Sequence, residues 1–361
     1  MTINYGLVGC GMMGHEHVQN IQLLRDGNVS VIFEPNTSMA VSASRLAPEA
    51  VMVDSLDAFL NQSGLDAIVI TSPNYLHVEQ LEEITKRVNL PILCEKPLYT
   101  DPADLDRIKR IRDNYKAPIW VAMEYRYMPP VTRLIEQVDD ATGGTKMLTI
   151  TEHRFPFLPK VDNWNRFNAK SGGTFVEKCC HFFDLMRHIL KSDPVRIMAS
   201  AGQEVNHLNE VYDGATSDIW DCGYVICEFE NGARGMLELS MFAEGAEYQE
   251  KIHAVGPRGK IEALVPGPGR FWPDHLGPAP VPKLINSPRH PKWPIVTEIP
   301  VDETLLEAGD HNGSTFFQHR KFRDVISGKG EVEVTLDDGA WAVRMGLAAQ
   351  QSANEGRFIT L

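Results

Sequence analysis

The sequence predicts a two-domain α/β protein, with a doubly wound parallel sheet in roughly its first third and an antiparallel or mixed sheet in the remainder. Three observations predict it. Short β-rich runs alternate with longer amphipathic stretches through residue 125, a glycine-rich loop follows the first of these runs, and beyond Tyr127 the strand candidates become longer and lie closer together. A chain of 361 residues is long enough for two domains, each with its own core, and the pattern places them at residues 1–125 and 126–361.

In chain order, the first-domain strands are INYGLVG (3–9), VSVIFE (29–34), AIVIT (67–71), PILCE (91–95) and PIWVAM (118–123), with helical patterns between them. The second domain contributes KMLTITEHRF (146–155), DCGYVICEFE (221–230), ARGMLELSMFAE (233–244) and YQEKIHAVG (248–256). Short turns such as ENGARG and GPRGK connect several of them, as in an antiparallel sheet. One helix is expected over roughly Thr174 to Leu190. Residues 264–300, rich in Pro and Gly, are expected to form an ordered excursion without regular structure. A last helix over 336–354 closes the chain and is placed to pack back toward the first domain.

Composition narrows the function. Hydrophobic residues at 43% and charged residues at 23% are globular values, and no apolar run reaches bilayer length, so a soluble protein is expected without a membrane partner. A formal charge of −13 argues against nucleic acid, whose binding draws on Lys and Arg at phosphates. The start, MTINYGLVGCG, lacks the pattern of a secretory signal. Six cysteines, scattered except for Cys179 and Cys180, read as reduced thiols, and the two together predict a cytoplasmic location. Adjacent cysteines on a helix point in different directions and paired CxxC spacing is absent, so no metal is expected.

The loop GLVGCGMMGHEH (6–17) carries the first chemistry. Gly9 permits the turn, Gly11 lets a pyrophosphate reach the backbone, and Gly14 lets helix and strand pack closely. Cys10, Met12 and Met13 lie between them. The free N–H groups and the positive end of the following helix then hold phosphates, which makes this a Rossmann dinucleotide site. Glu34 ends the second strand about twenty residues on. Its carboxylate accepts ribose hydroxyls and repels a 2′-phosphate, and no cation stands beside it, so NAD is expected rather than NADP. Two further loops follow strands and therefore sit at the carboxyl edge of the sheet, beside the cofactor. They are TSPNYLHVEQ (71–80), with Thr71, Ser72, Pro73, Asn74 and His77, and LCEKPLYTDP (93–102), with Glu95 and Lys96.

With GxGxxG, SPNYLH, EKP, EYRYMP (124–129) and the segment SGGTFVEKCCHFFDLMRHI in place, the chain resembles the Gfo/Idh/MocA oxidoreductases, the family of glucose–fructose oxidoreductase and inositol dehydrogenase. The resemblance covers nearly the whole chain. It implies a Rossmann domain followed by an α/β domain with a predominantly antiparallel open sheet, and a sugar, polyol or related substrate reacting between them. It also implies that Lys96 is the EKP lysine, His181 the histidine of the substrate-domain helix and Asp184 the aspartate three positions on. Many members carry Asp four residues before that histidine. Here Glu177 stands there, followed by Lys178 and Cys179.

The spacing of Glu177, His181 and Asp184 places them on one helix face, suited to the wall of a polar pocket. Histidine, with a pKa near neutrality, is the candidate base for the hydroxyl proton, with Glu177 or Asp184 orienting its ring. Lys96 is the candidate donor to the reacting oxygen and the alternative proton acceptor. Substrate contacts are expected from Lys96, Arg126, Lys178 and His181, and from Trp164, Asn165 and Arg166 in the aromatic loop 153–170. The function expected is NAD-dependent oxidation of a secondary hydroxyl or hemiacetal of a sugar, inositol or related polyol. A glycoside-cleaving enzyme using transient oxidation and a non-catalytic dinucleotide or sugar sensor are the alternatives. The second-domain strands carry apolar residues on both faces, which predicts a homodimer or homotetramer assembled through that sheet.

Overall fold

In a computed structural model that describes residues 2–361, six parallel strands form the first sheet. They are β1 (Ile3–Val8), β2 (Gly27–Phe33), β3 (Val51–Val53), β4 (Ala67–Ile70), β5 (Ile92–Cys94) and β6 (Ile119–Val121), in the order β3-β2-β1-β4-β5-β6. The central strands are buried on both faces, which is why they read as unbroken apolar runs; all four residues of β4 are buried. The strand order reverses direction between β1 and β4. That switch opens a crevice at their carboxyl ends. The strand not expected from the sequence is β3, a three-residue edge whose half-exposed VMV lacks any apolar contrast.

The second sheet has nine strands, β7 (Met147–His153), β8 (Pro194–Gly202), β11 (Cys222–Phe229), β12 (Arg234–Ser240), β13 (Glu250–Val255), β14 (Gly259–Val265), β15 (Lys283–Pro288), β16 (Ile295–Glu298) and β17 (Ile359–Thr360). A separate two-residue ladder joins β9 (Val211–Tyr212) to β10 (Ala215–Thr216). The order is β16-β15-β14-β13-β7-β12-β11-β8-β17, and every pairing is antiparallel except β7 with β12. The antiparallel open sheet is thus present, with a correction within 264–300. That excursion contains β15 and β16, because β15 pairs with β14 from Leu264↔Lys283 to Gly259↔Pro288 despite the flanking prolines. One face of the sheet is covered by helices. The other leaves Met147, Tyr224 and Ile226 exposed.

The helix expected over 174–190 is two pieces, Thr174–Glu177 and Cys180–Leu190. Gly172 and Gly173, with φ of 82° and 84°, admit the chain into the first turn, and the N–H groups of both Lys178 and Cys179 donate to the Thr174 carbonyl. The widened turn points successive side chains in new directions, so the simple helical spacing of Glu177 and His181 no longer holds.

The last helix, Leu336–Glu355, begins at a capping box between Thr335 and Asp338 and ends at left-handed Gly356. It lies against Cys180–Leu190 and β8 on one side and against β6 on the other, so it touches both sheets' layers. The helix Ser314–Ile326 likewise packs on the first helix, Met12–Leu23. Close approach requires glycine. A Cβ on Gly346 would stand 2.6 Å from the Phe175 carbonyl oxygen. Gly346→Ala therefore gains about 1 kcal/mol of helix propensity at most and loses about 1–3 kcal/mol to overpacking against backbone that cannot rotate away. We expect a lower urea midpoint with an unchanged slope. A midpoint equal to or above that of the unmodified protein contradicts this packing.

Candidate active site

A cleft of about 730 Å³ lies at the carboxyl edge of the first sheet and is lined from both domains. Its floor is Gly9 to Met13. At Gly9, φ is 84° and a Cβ would fall 2.7 Å from the Ser72 backbone; at Gly14 it would meet the Thr71 hydroxyl at 3.0 Å. At Gly11 it would meet nothing within 4 Å, so this is where the backbone is open to the cleft. The helix Met12–Leu23 starts there without a side-chain cap, leaving its first N–H groups available to an anion. Thr71 braces the loop by donating to the Gly9 carbonyl at 2.6 Å.

Glu34 stands at the end of β2 with its carboxylate fixed by the N–H of Cys10 (2.7 Å) and of Asn36 (2.8 Å). Each oxygen retains a lone pair, and the neighbouring lining residues Pro35, Asn36 and Ser38 bring no cation. Burial and the nearby Glu34 push the Cys10 thiol up to about 12, so it stays a neutral spacer. Open N–H groups at Gly11, crowded glycines at Gly9 and Gly14 and a carboxylate with free lone pairs at the end of β2 together fit a dinucleotide carrying free ribose hydroxyls.

Thr71, Ser72, Pro73 and Asn74 line the same cleft, as do Glu95 and Lys96. His77 does not. Its ring lies between the carbonyls of Pro97 (2.8 Å) and Ser72 (3.0 Å), tying the two loops together beneath the cleft. Glu95 is buried. One oxygen meets His17 at 2.9 Å, whose other nitrogen meets His319 at 2.7 Å, and the second accepts the Lys96 N–H at 3.1 Å.

The Lys96 side chain crosses to the second domain, donating through Nζ to the Glu177 carbonyl at 3.2 Å. Burial opposes its charge, but Glu177, with Glu95 and Glu124, more than reverses this, so its pKa stands above the ordinary lysine value. The Glu177 carboxylate points toward the first domain, taking the Asn74 amide and Lys160 Nζ (3.4 Å). Burial works against it too. Lys160, Lys96 and the Asn74 amide hold its pKa below the usual carboxylate value.

His181 is buried, with Nδ1 unpartnered, and is held by stacking on Tyr125 at a centroid separation of 4.1 Å and an angle of 6°. Burial, reinforced by the cations Lys96 and Lys178, takes its pKa well below 6.5, so the ring is neutral at pH 7. Neither expected carboxylate orients it. Glu177 is turned away by the widened turn, and Asp184 binds Arg126, whose Nε lies 2.6 Å from Asp184 Oδ2. Arg126 is thereby occupied by Asp184 and by the Glu333 carbonyl (2.8 Å), which makes it a brace rather than an open substrate contact.

Of the three contacts expected from the aromatic loop, only Trp164 reaches the cleft, with Lys160 over its ring at 4.7 Å. Asn165 donates to the Leu158 carbonyl and Arg166 to Glu210 and the Phe157 carbonyl, so both hold the loop's shape. Lys178 turns inward to Glu152 (2.8 Å) and the Tyr125 hydroxyl.

Several residues here escaped the sequence reading. Lys160, Tyr75 and Asp162 line the cleft, yet a lysine and an aspartate in a loop carry no signal of their own. His311 bonds Glu16 at 2.8 Å, and the Thr315 hydroxyl lies between Glu16 and the buried Glu124. Burial opposes the His311 charge, but Glu124 and Glu16 raise its pKa to about 9.

The model for the NAD-binding Rossmann fold of the oxidoreductase family Gfo/Idh/MocA matches residues 3–123, and that for the family's C-terminal alpha/beta domain matches residues 143–361. An inositol 2-dehydrogenase of Rhizobium meliloti (strain 1021) is 27% identical over 268 residues, covering 73% of this chain and 76% of that protein. A myo-inositol dehydrogenase from Corynebacterium glutamicum superposes with a TM-score of 0.75 at 22% identity, over 100% of this chain and 99% of that one. Levoglucosan dehydrogenase, solved with NADH and levoglucosan, superposes with a TM-score of 0.81 at 18% identity, over 100% and 99% of the two chains. With both of the family's domains matched along nearly its whole length, the chain belongs to the Gfo/Idh/MocA oxidoreductases and binds NAD on its Rossmann domain.

Proposed function

We propose that the protein oxidises a secondary hydroxyl or hemiacetal of a cyclitol or sugar, with NAD taking the hydride. The observation that carries this is the meeting of Lys96, which lines the NAD cleft, with the turn of Glu177 that leads directly into His181. The names of the similar proteins, inositol and levoglucosan dehydrogenases, point to the same substrate class.

Bound NAD supplies the hydride acceptor; the chain must orient the carbinol and remove its proton. Lys96, held in its ammonium form by Glu177, donates to the reacting oxygen and stabilises charge that develops on it. His181, neutral at pH 7, accepts the proton. Stacking on Tyr125 fixes the plane of the ring, the task the sequence reading gave to a carboxylate. Lys160 and Asn74 hold the Glu177 side chain and hence the loop that Lys96 crosses to.

Lys96→Ala and His181→Ala should each lower kcat by about 10²–10⁴-fold, the ordinary worth of a positioned acid–base group. NAD binding, read by fluorescence quenching, should change little. Panels of inositols, aldoses and anhydro sugars assayed for NADH identify the substrate, and net NADH formation separates a dehydrogenase from a glycoside-cleaving cycle. Near-normal turnover in both variants sinks the assignment.

The pH profile provides a second check. Protonation removes the His181 acceptor, and its pKa lies below 6.5, so the acid limb of kcat/KM should lie below that value. Loss of the Lys96 proton sets the alkaline limb, above 10.5. Glu177→Gln removes the charge that raises Lys96 and should move the alkaline limb downward. An acid limb at or above 6.5 contradicts the assignment of His181 as acceptor.

The open face of the second sheet supports self-association. Met147, Tyr224 and Ile226 on strands β7 and β11 are 58%, 56% and 44% exposed, a set of large apolar side chains more typical of an interface than of a solvated face. Light scattering at micromolar concentration should return a dimeric or tetrameric mass, lowered by Tyr224→Glu. A monomer mass for the unmodified protein rules this out.

A further inference from the structure

Strands β7 and β13 are antiparallel neighbours whose inward positions are apolar until one end. Leu148 and Ile150 on β7 lead to Glu152; Ala254 and Ile252 on β13 lead to Glu250. The register pairs Glu152 directly with Glu250, and their exposures are 0% and 1%. Like charges directly opposite each other on a sheet repel, and burial removes the water that would screen them. Apolar residues at both positions would continue the stripe without that cost.

The surroundings satisfy the pair only in part. Lys178 Nζ lies 2.8 Å from Glu152 Oε1, and Gln249 donates to Glu250 Oε1 at 2.6 Å. Both oxygens of Glu152 and Oε2 of Glu250 have no hydrogen-bond partner, although they are buried, and neither does Nδ1 of His181; the contact of Lys178 with Glu152 is an ion pair. Lys178 has three N–H groups, of which one is hydrogen-bonded, to the Tyr125 hydroxyl, while its charge faces Glu152, so donor capacity is left over. Tyr125 in turn stacks on His181. The carboxylate pair is therefore linked to the proposed proton acceptor through Lys178 and Tyr125, and Arg154 lies near enough to add to the depression of the His181 pKa.

We propose that Glu152, Glu250 and Lys178 form a subsite that reads substrate hydroxyls away from the reacting carbon, selecting an uncharged ring with at least two hydroxyls besides the one oxidised. This rests on the dehydrogenase reading above. A hydroxyl both donates and accepts, which is what unpartnered carboxylate oxygens beside spare ammonium N–H groups require. Paired charge makes the subsite suit a neutral ligand. Glu152 is matched by Lys178, and Arg154 with Lys178 acts on Glu250, whose pKa burial and the neighbouring Glu152 raise above the ordinary carboxylate value. A sugar carboxylate would face Glu152, and a substrate ammonium would compete with Lys178.

The test uses the full-length enzyme with NAD, the inositol or pyranose it turns over best, and that compound's monodeoxy analogues. In the unmodified enzyme, at least one analogue should lose about 10²-fold in kcat/KM, the loss expected when a buried charged acceptor goes unpaired. In Glu250→Leu the parent should fall to within about threefold of that analogue, whereas Glu250→Gln, which keeps an acceptor, should retain most of the discrimination. Calorimetric titration of the parent polyol into the enzyme–NADH complex should show the same order of affinities without turnover. Glu250→Leu continues an apolar stripe and is expected to fold; NAD binding by fluorescence quenching checks it. Equal discrimination in all three proteins, or equal weakening of parent and analogues, overturns the subsite alone. Absence of NADH formation with every polyol overturns the dehydrogenase reading and the subsite with it.

Discussion

The contact on which the arrangement depends is the one between the Lys96 ammonium and the Glu177 carbonyl. It joins a loop at the edge of the first sheet to the turn that opens the His181 helix, and so sets the spacing between the NAD cleft and the proposed acceptor. A buried ammonium is costly unless its charge is matched. Here it is matched by a carboxylate on the residue whose carbonyl it binds, and that carboxylate is itself fixed by Asn74 and Lys160. The widened turn at Lys178 and Cys179 then has a reason. It turns the Glu177 side chain toward the first domain, while Lys178 faces the second sheet and His181 meets Tyr125.

The two domains are held in register by more than that contact. Glu16 on the first helix takes His311 and Thr315 from the second half of the chain, and the last helix lies against β6 through Gly339 and against Phe175 through Gly346. These are buried, close approaches rather than a loose hinge. The strap from Pro159 to Trp164 is different, since it lines the cleft as irregular chain with Asp162 and Asn163 in left-handed conformations.

Much of this was legible in the sequence where one residue type has one physical use. Gly9, Gly11 and Gly14 are needed by a turn, an open backbone and a close packing, and all three are found in those roles. Short β-rich runs between helical patterns marked the buried strands β1, β2, β4, β5 and β6, and longer, closely spaced runs joined by short turns marked β7 and β11 to β13. What was not legible depended on tertiary pairing. β15 exists because β14 offers it an edge, and the break at Lys178 exists because Glu177 and Lys178 face different partners. Asp184 and Arg126 each looked like site residues, and only the fold shows that they neutralise each other. The pairing of Glu152 with Glu250 had a signal in TITEHRF and YQEKIHAVG, where a glutamate occupies the phase of the buried apolar residues.

That phase error is informative because packing gives it no support. A sheet's inward stripe gains from each apolar side chain it buries, about 25 cal/mol for every Å² removed from water, and a carboxylate there forfeits the gain and adds a desolvation cost. Two carboxylates in direct register add repulsion. Lys178 offsets part of this but is itself buried, so its own desolvation enters the same balance. Buried ionic groups of this kind can often be replaced by apolar residues without loss of stability. Structural need therefore gives no reason for three charged groups to lie between an apolar stripe and the ring stacked on His181. A ligand with hydroxyls to place against them does, since each hydroxyl both accepts from the ammonium and donates to a carboxylate oxygen.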